Sequence, residues 1–272
     1  MRGFTLIELS IVLVIIGLIA GSILAGRDLI RIAEIRRIIR EVGEFKVAVN
    51  TFKVKYNAIP GDFSNAEEVW GSDVSCPDTP ANFVPKQPTC NGNGNGRVGF
   101  AGYETDLSDI TAYDEIFRFW QQLSNAGFIG GSYTGTERVE DALDSILPGI
   151  NVPKTAAFNS AYSIMFLYKT FLTGGGSPLP DGFIGRHYYI VSRPGTSSPY
   201  NFGYPALLND AAYNLDKKMD DGNPAEGQVV SYNIMYPPTG DTDCVTQIYA
   251  LPSQYNLTKS DVTCSLAIAA DF

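Results

Sequence analysis

A single carboxylate, Glu8, is followed by eighteen uncharged residues from Leu9 to Gly26, and no Lys or Arg lies between Phe4 and Gly26 to balance it. As a helix that run is roughly 27 Å long at about 1.5 Å per residue. This approaches the roughly 30 Å hydrocarbon core of a bilayer, and Phe4 to Ile7 extend the apolar stretch beyond the acid. A charge inside hydrocarbon costs several kcal/mol unless it is paired, so an intramembrane acid is a functional candidate by default. A cleavable signal peptide has a shorter apolar stretch and a small-residue cleavage site behind it. Here the run is longer, contains the acid, and is followed by no Ala-x-Ala site. A plain single-span anchor accounts for the length but not for Glu8.

The helical pattern continues past the apolar run without a breaker. Ile35, Ile38, Ile39, Val42, Phe45, Val49, Phe52 and Tyr56 recur every three to four residues and define one face. Arg36, Arg37, Arg40, Glu41, Glu44 and Lys53 fill the remainder as a solvated side, with Arg37/Glu41 and Arg40/Glu44 spaced i,i+4. Pro60 and Gly61 stop the helix. One helix is therefore expected from Phe4 to Tyr56. Its first half is apolar all round, and its second half has a stripe that needs a sheet to cover it.

Gly3-Phe4-Thr5-Leu6-Ile7-Glu8 at the head of such a segment resembles the N-terminus of type IV pilins and of the pseudopilins of type II secretion. The resemblance covers residues 3–26. It implies cleavage between Gly3 and Phe4 by a prepilin peptidase and methylation of the new Phe4 amine. Glu8 would then neutralise the Phe4 ammonium of a neighbouring copy during polymerisation. The partners implied are other copies or other pilins, the peptidase, an inner-membrane assembly platform, and membrane lipid before assembly. The expected organisation is a leader at 1–3, a membrane and assembly helix at 4–26, its amphipathic continuation at 27–56, and a globular head at 57–272. The precursor is expected in the inner membrane with its head in the periplasm, and the product in an extracellular pilus or a periplasmic pseudopilus. Major pilin, minor pilin and pseudopilin stay open, as does an anchored periplasmic binding domain that never polymerises. A head of this size favours a minor subunit or an unusual fibre.

Charge and cysteines bear on the head. Residues 1–56 carry a net +4, which leaves −13 for residues 57–272. An acidic head offers no basic face to nucleic acid. Cys76/Cys90 and Cys244/Cys264 form two local pairs, which in an exported chain read as two disulfides. Zinc is the alternative, but there is no Cys-x-x-Cys and His187 is the one histidine. Arg27, Arg31, Arg36, Arg37 and Arg40 behind the apolar run would by the positive-inside rule place the head in the cytoplasm. The cysteines require an oxidising compartment, and they decide for the periplasmic side.

The head reads as α+β with an antiparallel sheet. Helices are expected at Asp114–Ala126 and Pro205–Met219, and strands at Tyr162–Tyr168, His187–Val191, Gln228–Tyr232 and Thr246–Leu251. Residues 57–110 read as an irregular loop region. Its sharpest motif is Asn91-Gly92-Asn93-Gly94-Asn95-Gly96. Oxygens at alternate positions before a glycine resemble the start of a calcium loop, with Asn91, Asn93 and Asn95 as candidate ligands. The twelfth position is Gly102 rather than Glu, so charge would have to come from Glu104, Asp106 or Asp109. The alternative is an Asn/Gly turn held against Cys90. No cofactor is required by anything in the chain. Catalysis is not expected: His187 lies in an apparent strand with no nucleophile signature beside it. Asp220 and Asp221 read as turn residues that bind backbone amides. Asn256-Leu257-Thr258 matches a glycosylation acceptor, a common tripeptide.

Overall fold

In the computed structural model the described residues are 5–73, 76, 88–99, 112–136, 146–155, 160–167, 185–193, 204–231, 243–246 and 253–272. The first element, α1, is a helix of 51 residues, Leu6–Tyr56. Thr5 caps its start, and Asn57, in the left-handed conformation at φ 51°, caps its end. Asn tolerates that conformation better than most residues. Lys53 and Lys55 in the last turn complement the helix dipole. The stripe read from the sequence faces the core. Ile35, Ile38, Val42, Phe45, Val49 and Phe52 are buried, and Ile39 and Tyr56 pack against them half-buried.

Two helices follow: α2, Ala66–Trp70, and α3, Ala112–Asn125. The strands are β1 (Ala161–Leu167), β2 (Arg186–Ser192), β3 (Leu207–Leu208), β4 (Val229–Ser231), β5 (Val262–Cys264) and β6 (Leu266–Ala269), with α4 (Asn209–Met219) between β3 and β4. Four strands form an antiparallel sheet in the order β1-β2-β6-β4. One row across it runs Ile164, Tyr189, Ile268 and Val229. The face that carries Tyr162 and Tyr189 meets α1 through Phe45. Polar ties among the described residues fasten the helix to the head: Arg31 to Asp210, Lys46 to Asp271, and the Tyr162 hydroxyl donating to Glu41. The architecture is α+β.

Several expectations change. The helix expected at Pro205–Met219 begins only at Asn209, because Leu207 and Leu208 pair with Cys264 and Val262 instead. The second helix starts two residues before Asp114. Residues 57–110 are not wholly irregular, since they hold α2. Most of the strand expected at Thr246–Leu251 lies outside the described residues; Val245 makes an isolated bridge to Tyr255. The central strand β6 has no counterpart among the expected strands.

Both cysteine pairs are disulfide-bonded, Cys76 to Cys90 and Cys244 to Cys264. The second joins β5 to the segment at 243–246. Replacing Cys244 and Cys264 together by Ser is expected to lower head stability by about 3 kcal/mol, the chain-entropy value for such a loop. A urea midpoint unmoved by that double substitution would show that β5 and β6 hold without the covalent tie.

Candidate functional site

The apolar half of α1 emerges from the head without cover. Leu6 is 86% exposed, Ile7 70% and Ile11 54%, and the pattern continues to Leu29 at 68%. Burying such a surface is the strongest unmet demand in the molecule, because roughly 25 cal/mol per Å² of apolar area is gained on removing it from water. From Leu6 to Gly26 the helix is roughly 31 Å long at about 1.5 Å per residue, enough to span hydrocarbon.

Glu8 sits at the tip of this rod and caps it. Its Oε2 accepts from the Thr5 backbone N–H and from Thr5 Oγ1, each at 2.8 Å, while the Glu8 N–H donates back to Thr5 Oγ1 at 3.3 Å. This is a capping box, in which two otherwise orphaned helix-end groups satisfy each other. Thr5 at the N-cap with Glu three positions on is a pattern visible in the sequence, and it gives the acid a place within its own chain. The hydrogen bonds leave the formal charge in place, and among the described residues no cation is paired with the carboxylate. Gly3 and Phe4 lie outside the described residues.

Residues 1–24 match the family model described as the prokaryotic N-terminal methylation motif. The chain carries a prepilin-type N-terminus. That signature belongs to type IV pilins and pseudopilins, and it fits a membrane-anchored precursor processed by a prepilin peptidase. No curated protein and no solved structure matches the chain. The prepilin motif therefore covers residues 1–24, the start of α1, and the head must be read from its own geometry.

In the head, the Asn91–Gly96 motif serves the main chain. Asn91 Oδ1 accepts from the Glu67 N–H, Asn93 Oδ1 from Asn95 and Asn95 Oδ1 from Arg97. The last two are Asx turns, the local chemistry for which Asn is selected in loops. The Asn93 and Asn95 oxygens thus form turns in this fold, and the Asn91 oxygen ties the loop to α2. Glu104, Asp106 and Asp109 lie outside the described residues. His187 is buried; its Nε2 accepts from the Val98 N–H at 2.8 Å and its ring stacks on Phe272 at 4.8 Å. Burial, reinforced by Lys53, brings its pKa down to about 4, so it stays neutral.

Three groups escaped the sequence reading. Asp62 and Glu115 are both buried beneath the Asn/Gly loop, and Asp216 is buried in α4. Asp216 accepts from the Tyr255 hydroxyl at 2.8 Å and from the Gly222 N–H at 3.0 Å; burial raises its pKa to about 7. Asp220 and Asp221 lie beside it, with oxygens within 4.8 Å of one another. They accept from the amides of Gln228, Val229 and Asn223, which is the turn role read from the sequence. A half-open cleft of about 350 Å³ lies at the far end of α1, between Lys53, Asn57 and Ile59 on one side and Gly94 and Gly96 on the other.

Proposed function

We propose that the chain is a type IV pilin-like structural subunit. It is held in the inner membrane by residues 4–26, cut between Gly3 and Phe4, methylated on Phe4, and drawn into a helical filament. The observation that carries this reading is Glu8: an acid fixed at the tip of an uncovered apolar helix, satisfied in hydrogen bonds but paired with no cation among the described residues. A second copy brings what is missing. Once Gly3 is removed, the Phe4 amine is a cation at the same depth as Glu8 of a neighbour. An ion pair formed in low dielectric offsets much of the cost of stranding either charge. The exposed faces of Leu6, Ile7 and Ile11 are buried in the same step. Because the pair forms only in one axial setting, Glu8 fixes the register of the stacked helices, a role buried polar groups are known to fill.

The test is mass spectrometry of the N-terminal peptide from the native protein. The expected peptide begins at Phe4 and is one methyl group heavier than the unmodified sequence. A protein that keeps Met1 to Gly3 and is extracted from membranes as a monomer would instead be an anchored domain, and the filament reading would fall. The share of the chain in sheared surface filaments separates a major subunit from a minor one.

A further inference from the structure

Asn91-Gly92, Asn93-Gly94 and Asn95-Gly96 are consecutive Asn-Gly pairs. Such a pair is chemically the most prone to lose its side-chain amide. Glycine has no Cβ to hinder its nitrogen, which can reach the Cγ of the asparagine before it. In this fold all three glycine nitrogens are engaged, and all by one short segment. Gly92 donates to the Phe63 carbonyl at 2.9 Å, Gly94 to the Asp62 carbonyl at 3.1 Å, and Gly96 to Asp62 Oδ2 at 2.9 Å. Two of the three are held by main chain. Gly96 alone is held by a side chain.

The surroundings of the three pairs differ. Asn91 and Gly92 are half-buried, and a Cβ on Gly92 would stand 2.3 Å from the Gly61 carbonyl, so that pair has no room to rearrange. Asn95 and Gly96 are exposed, and nothing lies within 4 Å of where a Gly96 Cβ would be. Asn95 Oδ1 accepts from the Arg97 N–H at 2.8 Å. That Asx turn folds the side chain back over its own backbone, and the donated hydrogen bond draws electron density from Cγ. The electrophile is thus polarised and accessible. What withholds the nucleophile is the carboxylate of Asp62, which also accepts from the Asn95 N–H, through Oδ1 at 2.9 Å.

We propose that Asn95 is a site of spontaneous covalent modification, converted through a succinimide to aspartate or isoaspartate, at a rate that the Asp62 carboxylate restrains by holding the Gly96 nitrogen. In the first step Gly96 N bonds to Asn95 Cγ and the Cγ–Nδ2 bond breaks. Nδ2 leaves as ammonia, carrying the proton that Gly96 N gives up. Water then opens the ring at one carbonyl or the other. The nitrogen attacks once it has lost its proton, and a carboxylate beside it opposes that loss, because a second negative charge would form next to the first. Asp62 is therefore a guard and not a base for this reaction. The product adds a negative charge beside Asp62, and isoaspartate adds a backbone atom that shifts Gly96 against its acceptor. Because Gly96 lines the cleft beside Lys53, a modified copy carries a changed cleft wall.

The full chain in detergent, incubated at neutral pH and sampled over time, reads the reaction directly. Mass spectrometry of the reduced tryptic peptide 87–97, which contains all three asparagines, follows each site separately. A synthetic peptide of the same residues, handled alike, gives the unguarded rate. The wild-type protein is expected to convert Asn95 more slowly than the peptide does, and Asn91 most slowly of the three. Asp62→Ala should speed conversion at Asn95 roughly ten- to a hundredfold, the equivalent of one hydrogen bond to a charged group. Asn91 should keep its wild-type rate in that variant, because Phe63 still holds Gly92. Asp62→Asn keeps an acceptor oxygen without the charge, so it should raise the Asn95 rate by a smaller factor; it decides the matter if the first variant does not fold. A wild type as fast at Asn95 as the peptide, a slower Asn95 in either variant, or an equal rise at all three sites in both variants would each overturn the proposal. None of these outcomes depends on whether the subunit polymerises.

Discussion

Glu8→Val is expected to leave a precursor that inserts in the membrane and is cut at Gly3–Phe4, yet yields almost no filament. The substitution removes the acid but not the Phe4 ammonium that the proposed pairing places against it. Breaking a buried pair from one side costs about 3–5 kcal/mol, because the surviving charge is left stranded. At that cost the affinity of each subunit addition falls by roughly two to four orders of magnitude. The membrane helix itself does not suffer, since Val is at home in hydrocarbon and Thr5 still caps the first turn. The check is twofold: the mass of the mature N-terminus, and the amount of protein recovered in the sheared filament fraction. Processing without filaments locates the defect in assembly. Normal filament yield would remove Glu8 from any part in setting register.

The contrast between rod and head shows what a sequence can carry. α1 was legible because one period persists from Ile35 to Tyr56 and one pair, Pro60 and Gly61, ends it. Glu8 was legible for a similar reason, since a charge in an apolar run needs no fold to be noticed. The central strand β6 was not, because Leu266, Ala267, Ile268 and Ala269 are all buried. A strand covered on both faces shows no alternation, and Ala is a poor advertisement for strand. Leu207 and Leu208 were read into α4 because helix and strand differ there only through partners more than fifty residues away, at Val262 and Cys264. The acids under the loop were hidden most completely. Asp62 follows a turn and Glu115 sits in a polar patch of α3, positions where a carboxylate is ordinarily solvated. Their burial is created by a loop whose sequence points elsewhere: alternating Asn advertises side-chain oxygens, while the fold uses the amides between them.

Phe45 is one of the side chains that join rod and head, and its removal should be among the costly single changes in the head. Phe45 leaves α1 into a cage of aromatic rings, edge-on to Trp120 and Tyr162 at 5.0 Å each and 6.0 Å from Tyr189. Those three neighbours are fully buried, so they have no room to collapse into a void. Phe45→Ala is therefore expected to cost about 3–5 kcal/mol, a transfer loss plus an unfilled cavity. The lost edge-to-face contacts sit at the upper end of that range, being worth about 0.5–1.5 kcal/mol beyond area alone. Against a typical total of about 5–15 kcal/mol, this brings the head close to unfolding. Val54→Ala, nine residues on in the same helix but 88% exposed, should change stability by no more than about 0.5 kcal/mol. Urea titration followed by tryptophan fluorescence compares the two, with Trp120 reporting from inside the cage. Similar midpoints for both variants would mean that the ring cage does not fasten the head. A large loss for Phe45 alone would mean that the ring cage is a main fastening between α1 and the sheet.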